Sequence, residues 1–264
     1  MNVRLSVVTI CLNPGEALQR TVESIAALAG SMEWIVVDGG STDGTQERLR
    51  ALSRPPDRLL SERDSGIANA FNKGIALATG DAICFMNAGD EFAGPDALTG
   101  LVDRWERGRH RWIVGAGDIV KSDGTTLFRR AYARIPSDPL SLVRRNCRIM
   151  HQAVLCERSL FSEHGGYDET FRIAMDYELW VRWITCGIVP QMVDHPVCRF
   201  HPAGASGSPL ANQRENRRLR ELHGIGNGFI GENALLAIAW TKRLIGGRYG
   251  RWAYRFKERL GIRI

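Results

Sequence analysis

Residues 3 to 92 alternate between short, β-branched apolar runs and segments in which apolar residues recur at helical spacing. This alternation is typical of βαβ units, in which parallel strands of one sheet are joined by right-handed crossovers. We therefore expect an α/β fold in which the carboxyl ends of these strands lie at one edge of the sheet. The predicted strands are Val3–Cys11, Glu33–Val37, Arg58–Glu62 and Asp81–Met86.

Polar loops follow three of these strands, at residues 13–15, 38–43 and 87–90. Open α/β sheets bind their ligands at the carboxyl ends of the strands, so these loops are expected to form a binding site. In the third loop, Gly89 permits a sharp turn and Asp90 then presents a carboxylate, which suits a hard divalent cation. The alternative is an ordinary turn, since Asn, Gly and Asp are common turn residues.

Charge and cysteine content exclude several classes of protein. The net charge is +6, but residues 212–264 hold 12 Lys or Arg and 4 Asp or Glu, which leaves −2 for residues 1–211. A nucleic-acid-binding core is therefore not expected.

The six cysteines show no C-x-x-C spacing and indicate buried thiols in a reducing compartment. Because a strand begins within three residues of the start and no apolar run reaches a membrane-spanning length, we expect a cytoplasmic protein.

The second half of the chain lacks the regular alternation of predicted strands and helices seen in residues 3 to 92. Helices are predicted at residues 96–107, 139–145 and 175–186, and a strand pair at residues 112–120 and 125–130. A further strand is expected at residues 151–156 and an extended segment at 189–200. We expect one catalytic domain at residues 1–211, with a nucleotide-binding half at about 1–92 and an acceptor half at about 93–211. A basic helical extension is expected at residues 212–264.

The loop Asp38–Gly44 lacks the G-x-G-x-x-G pattern, which disfavours an ordinary dinucleotide fold. Two carboxylates in such a loop repel a pyrophosphate but suit ribose hydroxyls or a ring N–H. Asp38, directly at the strand end, is the stronger candidate. For Asp43 the alternative is a solvated position near a helix N-terminus, where the macrodipole favours a carboxylate.

Several ordered segments resemble glycosyltransferase family 2, the inverting nucleotide-sugar transferases with the GT-A fold. The resemblance covers about residues 3 to 206 and implies a mixed, mostly parallel sheet. The segments that carry it are Ser6–Asn13, Val36–Thr45, Ser61–Ile67, Asn72–Ile75, Phe85–Asp90, Gly165–Glu169 and Asp176–Trp180.

The resemblance implies a donor site built from the strand-end loops, with Mg²⁺ or Mn²⁺ at Asp90. Asn87 and Gly89 stand where the family commonly carries Asp, and a related subgroup of bacterial polysaccharide-assembly enzymes has a similar Asn-x-Gly-Asp. His201 precedes a Gly/Ser-rich loop and is a second candidate metal ligand, since a neutral imidazole can bind a cation; the alternative is a histidine in a surface loop. Arg199 is a candidate for the phosphate charge. The expected nucleotide-sugar-binding residues are Thr9, Asn13, Asp38, Asp43, Asp64, Asn87 and Gly89.

Asp176 is the expected catalytic base. It stands at the start of a predicted helix, where the family match places its catalytic Asp. The alternative role is an N-terminal helix cap. His151 and Gln152 begin a predicted strand and resemble a pair that lines the acceptor pocket, although a lone histidine is more often structural.

The end of the chain has an apolar stripe at Tyr249, Trp252, Phe256 and Leu260, flanked by arginines. A basic amphipathic helix of this kind suits an anionic membrane surface, and the alternative is a helix that packs on the catalytic domain.

Taken together, these features predict an inverting hexosyl- or N-acetylhexosaminyltransferase that acts in bacterial surface polysaccharide synthesis. The expected donor is a nucleotide-diphosphate sugar, with a UDP-sugar favoured, and the expected acceptor is a glycan or a lipid-linked glycan. One alternative is a nucleotidyltransferase acting on a sugar phosphate, although the loop after the first strand has no Lys or Arg before Arg20. The other is a non-catalytic subunit that binds nucleotide sugars.

Overall fold

The computed structural model describes residues 3–121, 123–132, 136–144, 147, 149–201 and 209–225. The strands are β1 Leu5–Cys11, β2 Met32–Asp38, β3 Arg58–Ser61, β4 Ala82–Phe85, β5 Glu91–Phe92, β6 Trp112–Val120, β7 Thr126–Arg130, β8 Val154–Glu157 and β9 Gln191–Phe200. The helices are α1 Ala17–Ala26, α2 Thr45–Arg50, α3 Ile67–Leu77, α4 Thr99–Arg104, α5 Ser159–His164, α6 Met175–Thr185 and α7 Pro209–Leu222. Two short 3₁₀ helices lie at Pro139–Leu142 and His151–Ala153.

The strands form one mixed sheet in the order β3-β2-β1-β4-β8-β6-β9-β5. Strand β7 lies off this path and pairs with the carboxyl-terminal part of β6, residues 117–120. Strands β1, β2, β3 and β4 are mutually parallel, and β8 is antiparallel to both β4 and β6. Because β9 is parallel to β6, six of the nine strands among the described residues run in one direction. The predicted α/β fold with a mostly parallel sheet is confirmed.

Alternating side chains of the strands contribute to two cores, one on each face of the sheet. On β1, Val8 faces a core that includes α3 and α6, whereas Val7 faces a core that includes α1 and α4. Helix α1 buries Leu18, Val22 and Ile25, which recur at helical spacing. Helices therefore cover both faces and leave the edges at the strand ends for polar loops.

Four features depart from the sequence prediction. His151 and Gln152 lie in a 3₁₀ helix and not in a strand, because β8 begins only at Val154. Strand β5 and helix α5 were not predicted. Helix α4 covers only the middle of the predicted 96–107 segment.

Helix α7 spans the predicted boundary between residues 211 and 212. Its Leu219 is fully buried, and Leu219 and Ile225 belong to the core beneath α6. The amphipathic segment predicted at residues 249–260 lies outside the described residues. Among the residues that are described, no helix has the length and apolar character needed to cross a membrane.

Candidate functional site

The loops singled out in the sequence lie at one edge of the sheet. Residues that follow β1, β2, β3, β4 and β9 meet there because these strands run in the same direction. Strand β8 runs in the opposite direction, so the 3₁₀ helix before its amino end lies at the same edge. The fold therefore brings the loops of both halves of the chain to one site.

Two residues expected to contact a nucleotide have no exposed surface. The Thr9 hydroxyl accepts a hydrogen bond from Trp34 Nε1 at 3.1 Å, which places Thr9 in the core below the loops. The Asp38 carboxylate accepts from the backbone N–H and hydroxyl of Ser41 and from Ser61 Oγ at 2.5 Å. Both residues therefore support the loops from inside and do not line an open surface.

The first two loops are joined by hydrogen bonds. Asn13 has a left-handed backbone with φ of 46°, and its Oδ1 accepts from the backbone N–H of Thr42 at 2.8 Å. Asp43 accepts from Gly15 N at 3.0 Å and from Thr45 N at 3.2 Å, at the start of α2. These bonds, together with the neighbouring Arg48 guanidinium, lower the pKa of Asp43, with the Thr45 hydroxyl having the largest effect. Asn13 and Asp43 thus make the paired loops one rigid unit.

Asp64 lies beside the second loop, where its carboxylate is partly exposed. Its Oδ1 accepts from Gly66 N at 2.9 Å. Its Oδ2 lies against Gly39, where an added Cβ would stand only 2.4 Å away. Residue 39 must therefore be glycine for Asp64 to occupy this place.

The Asn87–Asp90 loop is held by helix α1. Thr21 Oγ1 donates to the Asp90 carbonyl at 2.6 Å and accepts from Gly89 N at 2.9 Å, and Gly89 has a φ of 105°. Arg20 donates to the Gly89 carbonyl at 3.2 Å, which brings a cation to the loop. Sequence reasoning did not single out Arg20 or Thr21 for this role, because their contacts lie 66 to 69 residues away along the chain.

The Asp90 carboxylate is only 5% exposed and accepts two hydrogen bonds. Its Oδ1 accepts from His201 N at 2.9 Å and its Oδ2 from Gln152 Nε2 at 2.6 Å. Burial raises the pKa of Asp90 to about 6, although both hydrogen bonds oppose this shift. The His201 ring and Arg199 both contact Glu91, at 3.0 and 3.4 Å. The structure thus brings His201 to Asp90 through its backbone, with the ring directed to Glu91.

The fit of a divalent cation rests on Asn87 and Asp90. Among the residues that the structure describes, Asn87 Oδ1 is a buried acceptor without a hydrogen-bond partner, and amide and carboxylate oxygens are the ligands that Mg²⁺ takes. Within the described ranges, no group of three or more His, Cys, Asp and Glu side chains is arranged to hold a metal. Asn87 and Asp90 therefore suit a cation that takes its other ligands from substrate phosphates and water.

The predicted acceptor-side pair occupies the interior. His151 is 6% exposed, packs 5.1 Å from the Phe85 ring, and shares a 2.7 Å hydrogen bond with the Tyr167 hydroxyl. Burial lowers the pKa of His151 to about 3, so its ring is neutral. Gln152 binds Asp90, whereas His151 lies 6.3 Å from the Trp180 ring on α6. The pair therefore links the Asp90 loop to helix α6 and does not line an open acceptor pocket.

Asp176 is the second residue of α6 and is half-buried. Its Oδ1 accepts from the backbone N–H of Tyr177 at 2.7 Å. Burial raises the pKa of Asp176 from 3.8 to about 6, which makes it a carboxylate with unusual proton affinity near neutral pH. Glu178, two residues on, pairs instead with Arg182 at 2.6 Å. Glu178 is therefore held in an ion pair, whereas the Asp176 carboxylate is not paired with Arg182.

Sequence comparisons place the chain among known proteins. The profile described as Glycosyl transferase family 2 matches residues 6–163. An uncharacterised glycosyltransferase of Mycobacterium tuberculosis is 33% identical over 229 residues, which cover 83% of this chain and 84% of that protein. A PGL/p-HBAD biosynthesis glycosyltransferase of Mycobacterium bovis is 29% identical over 219 residues, covering 81% and 83%.

Solved structures share the fold at low sequence identity. TarS residues 1–349 of S. aureus, in complex with UDP-GlcNAc, aligns with a TM-score of 0.66 and 13% identity over 94% of this chain and 74% of that one. The mannosyltransferase PcManGT of Pyrobaculum calidifontis, in complex with GDP-Man and Mn²⁺, aligns with a TM-score of 0.62 and 18% identity over 100% and 81%. Together with the sequence matches, this likeness shows that the chain is a glycosyltransferase of family 2 with a GT-A-type α/β fold.

Proposed function

We propose that this enzyme transfers a sugar from a nucleotide-diphosphate donor to an acceptor hydroxyl with inversion, and that Asp176 is the base. The observation that carries the proposal is the half-buried carboxylate of Asp176, whose pKa is raised to about 6. A base with this pKa is ionised at neutral pH and still has appreciable affinity for the proton of an attacking hydroxyl.

A single displacement needs only one base. The acceptor oxygen attacks the anomeric carbon, the bond to the nucleoside diphosphate breaks, and the acceptor proton passes to Asp176. Each such displacement inverts the anomeric configuration, and no covalent intermediate on the enzyme is required. His151, which is neutral, and the Tyr167 hydroxyl hydrogen-bond each other in the core beside α6, the helix that holds Asp176. They therefore support this helix without adding a charge near the base.

The strand-end loops are the proposed donor site. Asp64 is the carboxylate best placed for the nucleotide, because it is partly exposed, whereas Asp38 is fully buried. The fold relatives in complex with UDP-GlcNAc and with GDP-Man support a nucleotide-sugar donor of the hexosyl or N-acetylhexosaminyl class. A UDP-sugar is our favoured donor.

Asp90, with Asn87 Oδ1, would hold Mg²⁺ or Mn²⁺ together with the donor. A bound cation would neutralise the charge that develops on the leaving diphosphate. Arg20, which donates to the Gly89 carbonyl, brings a fixed positive charge to the same loop. Gln152 and the His201 backbone fix the orientation of the Asp90 carboxylate.

The proposed acceptor is a glycan or lipid-linked glycan of a bacterial surface polysaccharide. The M. bovis relative, a glycosyltransferase whose name refers to PGL/p-HBAD biosynthesis, supports a biosynthetic acceptor for this chain. Contact with the cytoplasmic membrane face through the basic segment Arg248–Ile264 is part of this proposal, on the strength of its sequence alone.

A binding and turnover screen tests the proposed function. The purified chain is mixed with UDP-, GDP- and dTDP-sugars, with and without Mn²⁺, and its melting temperature and the release of nucleoside diphosphate are measured. We expect a UDP-sugar to raise the melting temperature and to be turned over slowly with water as acceptor. The Asp90→Asn variant should show a smaller effect of Mn²⁺. Turnover of a nucleoside triphosphate with a sugar phosphate, and none of any nucleotide sugar, would contradict the proposal.

A further inference from the structure

Helix α7 holds the segment that leads into the catalytic helix. Both carboxylate oxygens of Glu215 accept hydrogen bonds from consecutive backbone N–H groups: Arg172 at 3.0 Å, Ile173 at 2.8 Å and Ala174 at 2.9 Å. Ala174 is the residue that caps α6, and its own side chain makes no capping bond. One side chain of a distant helix therefore holds the backbone that leads into α6, including the N–H of its N-cap residue Ala174.

The same helix also binds α6 beyond the base. Burial raises the pKa of Tyr177 and the neighbouring Arg220 guanidinium of α7 opposes this shift, while the ring of His223, directly after α7, lies 3.1 Å from Glu178. Leu219, directly before Arg220, is fully buried in the shared core. The backbone before Asp176 and the side chains after it therefore both contact α7 or the residue that follows it.

These contacts answer a local structural need. The first N–H groups of a helix have no partner within the helix, and a carboxylate near that end is also favoured by the helix dipole. Since Asp176 follows Ala174 by two residues, the backbone that Glu215 holds determines the direction in which the Asp176 side chain leaves α6. Small displacements of a catalytic group cost large factors in rate.

We propose that Glu215 is a positioning residue for Asp176, so that α7 belongs to the catalytic apparatus and is not an appendage. This inference rests on the proposed role of Asp176 as the base. It does not follow from the family match, which ends at residue 163. Glu215 touches no reacting atom and acts only through the backbone before α6.

The first test is the kcat and KM of Glu215→Gln. The amide has one acceptor oxygen in place of two and no charge, so we expect kcat to fall by about 10- to 100-fold while the donor KM changes less than about twofold. The matched control is Glu221→Gln on the same helix, where the contact of the carboxylate within the described part of the chain is an exposed pair with Arg217 at 2.8 Å. If Glu215→Gln has the kcat of the control, the inference is wrong. Should Glu215→Gln fail to fold, Glu215→Asp takes its place, with the same expected loss and the same contrary result.

The second test combines the variant with Asp176→Asn. If Glu215 acts through Asp176, adding Glu215→Gln to Asp176→Asn should lower the residual rate by less than about twofold. A full additional loss would show that Glu215 acts independently of the base and would overturn the inference. The two proposals fail separately. A wild-type rate for Asp176→Asn refutes the base, whereas an inactive Asp176→Asn with a fully active Glu215→Gln refutes only the positioning role.

Discussion

Replacing Asp176 with Asn should remove transfer activity and stabilise the protein at neutral pH. The asparagine has the same shape, and its Oδ1 still accepts the hydrogen bond from Tyr177 N that measures 2.7 Å in the native chain. It has no proton affinity, so the acceptor hydroxyl loses its base. General-base removal typically lowers kcat by about 10²- to 10⁴-fold.

The gain in stability follows from the raised pKa. A shift from 3.8 to about 6 corresponds to about 3 kcal/mol at 1.36 kcal/mol per unit, and we expect about 1–3 kcal/mol because Asp176 is only half-buried. The folded protein binds this proton more tightly than the unfolded chain does. The stabilisation from Asp176 is therefore present below pH 4 and is lost as the pH rises through about 6.

The assay compares melting temperatures of wild type and Asp176→Asn from pH 4.5 to pH 7.5. We expect the variant to melt about 2–4 °C higher per kcal/mol at pH 7.5, with the difference shrinking towards pH 4.5. The control is Asp194→Asn, an exposed aspartate on β9, which should show no such trend. A variant that melts at or below wild type at pH 7.5, or that transfers sugar at the wild-type rate, would refute the reasoning.

Three further predictions concern the loops and the tail. Gly39→Ala places a Cβ 2.4 Å from Asp64 Oδ2, so isothermal titration should show weaker donor binding, and unchanged affinity would contradict the role of Asp64. Thr21→Val removes the 2.6 Å bond to the Asp90 carbonyl, so chemical denaturation should show a loss of about 1–2 kcal/mol and kinetics a raised donor KM; an unaltered KM would count against the loop assignment. Deletion of Arg248–Ile264 should reduce partition to anionic vesicles, and unchanged partition would end the membrane proposal.

The first half of the fold was predictable because its signals are local. Strands β1 to β4 lie within a few residues of their predicted bounds, and helices α1 to α3 connect them as the alternating pattern predicts, since apolar periodicity and Gly or Pro breaks mark these elements directly. Strand β5 was missed because it has only two residues and pairs with Arg199 and Cys198, more than 100 positions away. Pairing at that range leaves no local pattern.

The site was predicted as a set of residues but not as a set of contacts. Asp90 and Gln152 were both singled out, yet their 2.6 Å hydrogen bond depends on β8 running antiparallel to β4. The family resemblance implies that Thr9 lies against the nucleotide, whereas the alternation of side chains along β1 directs Thr9 into the core, where it accepts a hydrogen bond from Trp34. Glu215 has no sequence signal, because the N–H groups it accepts from lie 41 to 43 residues earlier.

The stereochemistry of the first product tests the central claim most directly. The enzyme is mixed with an α-linked UDP-sugar, with water as acceptor, and the anomeric proton of the released sugar is followed by NMR before mutarotation. A single displacement with Asp176 as base predicts that the β-anomer appears first and that Asp176→Asn releases neither anomer above background. First appearance of the α-anomer would contradict the account, since retention requires a second displacement or a different mechanism.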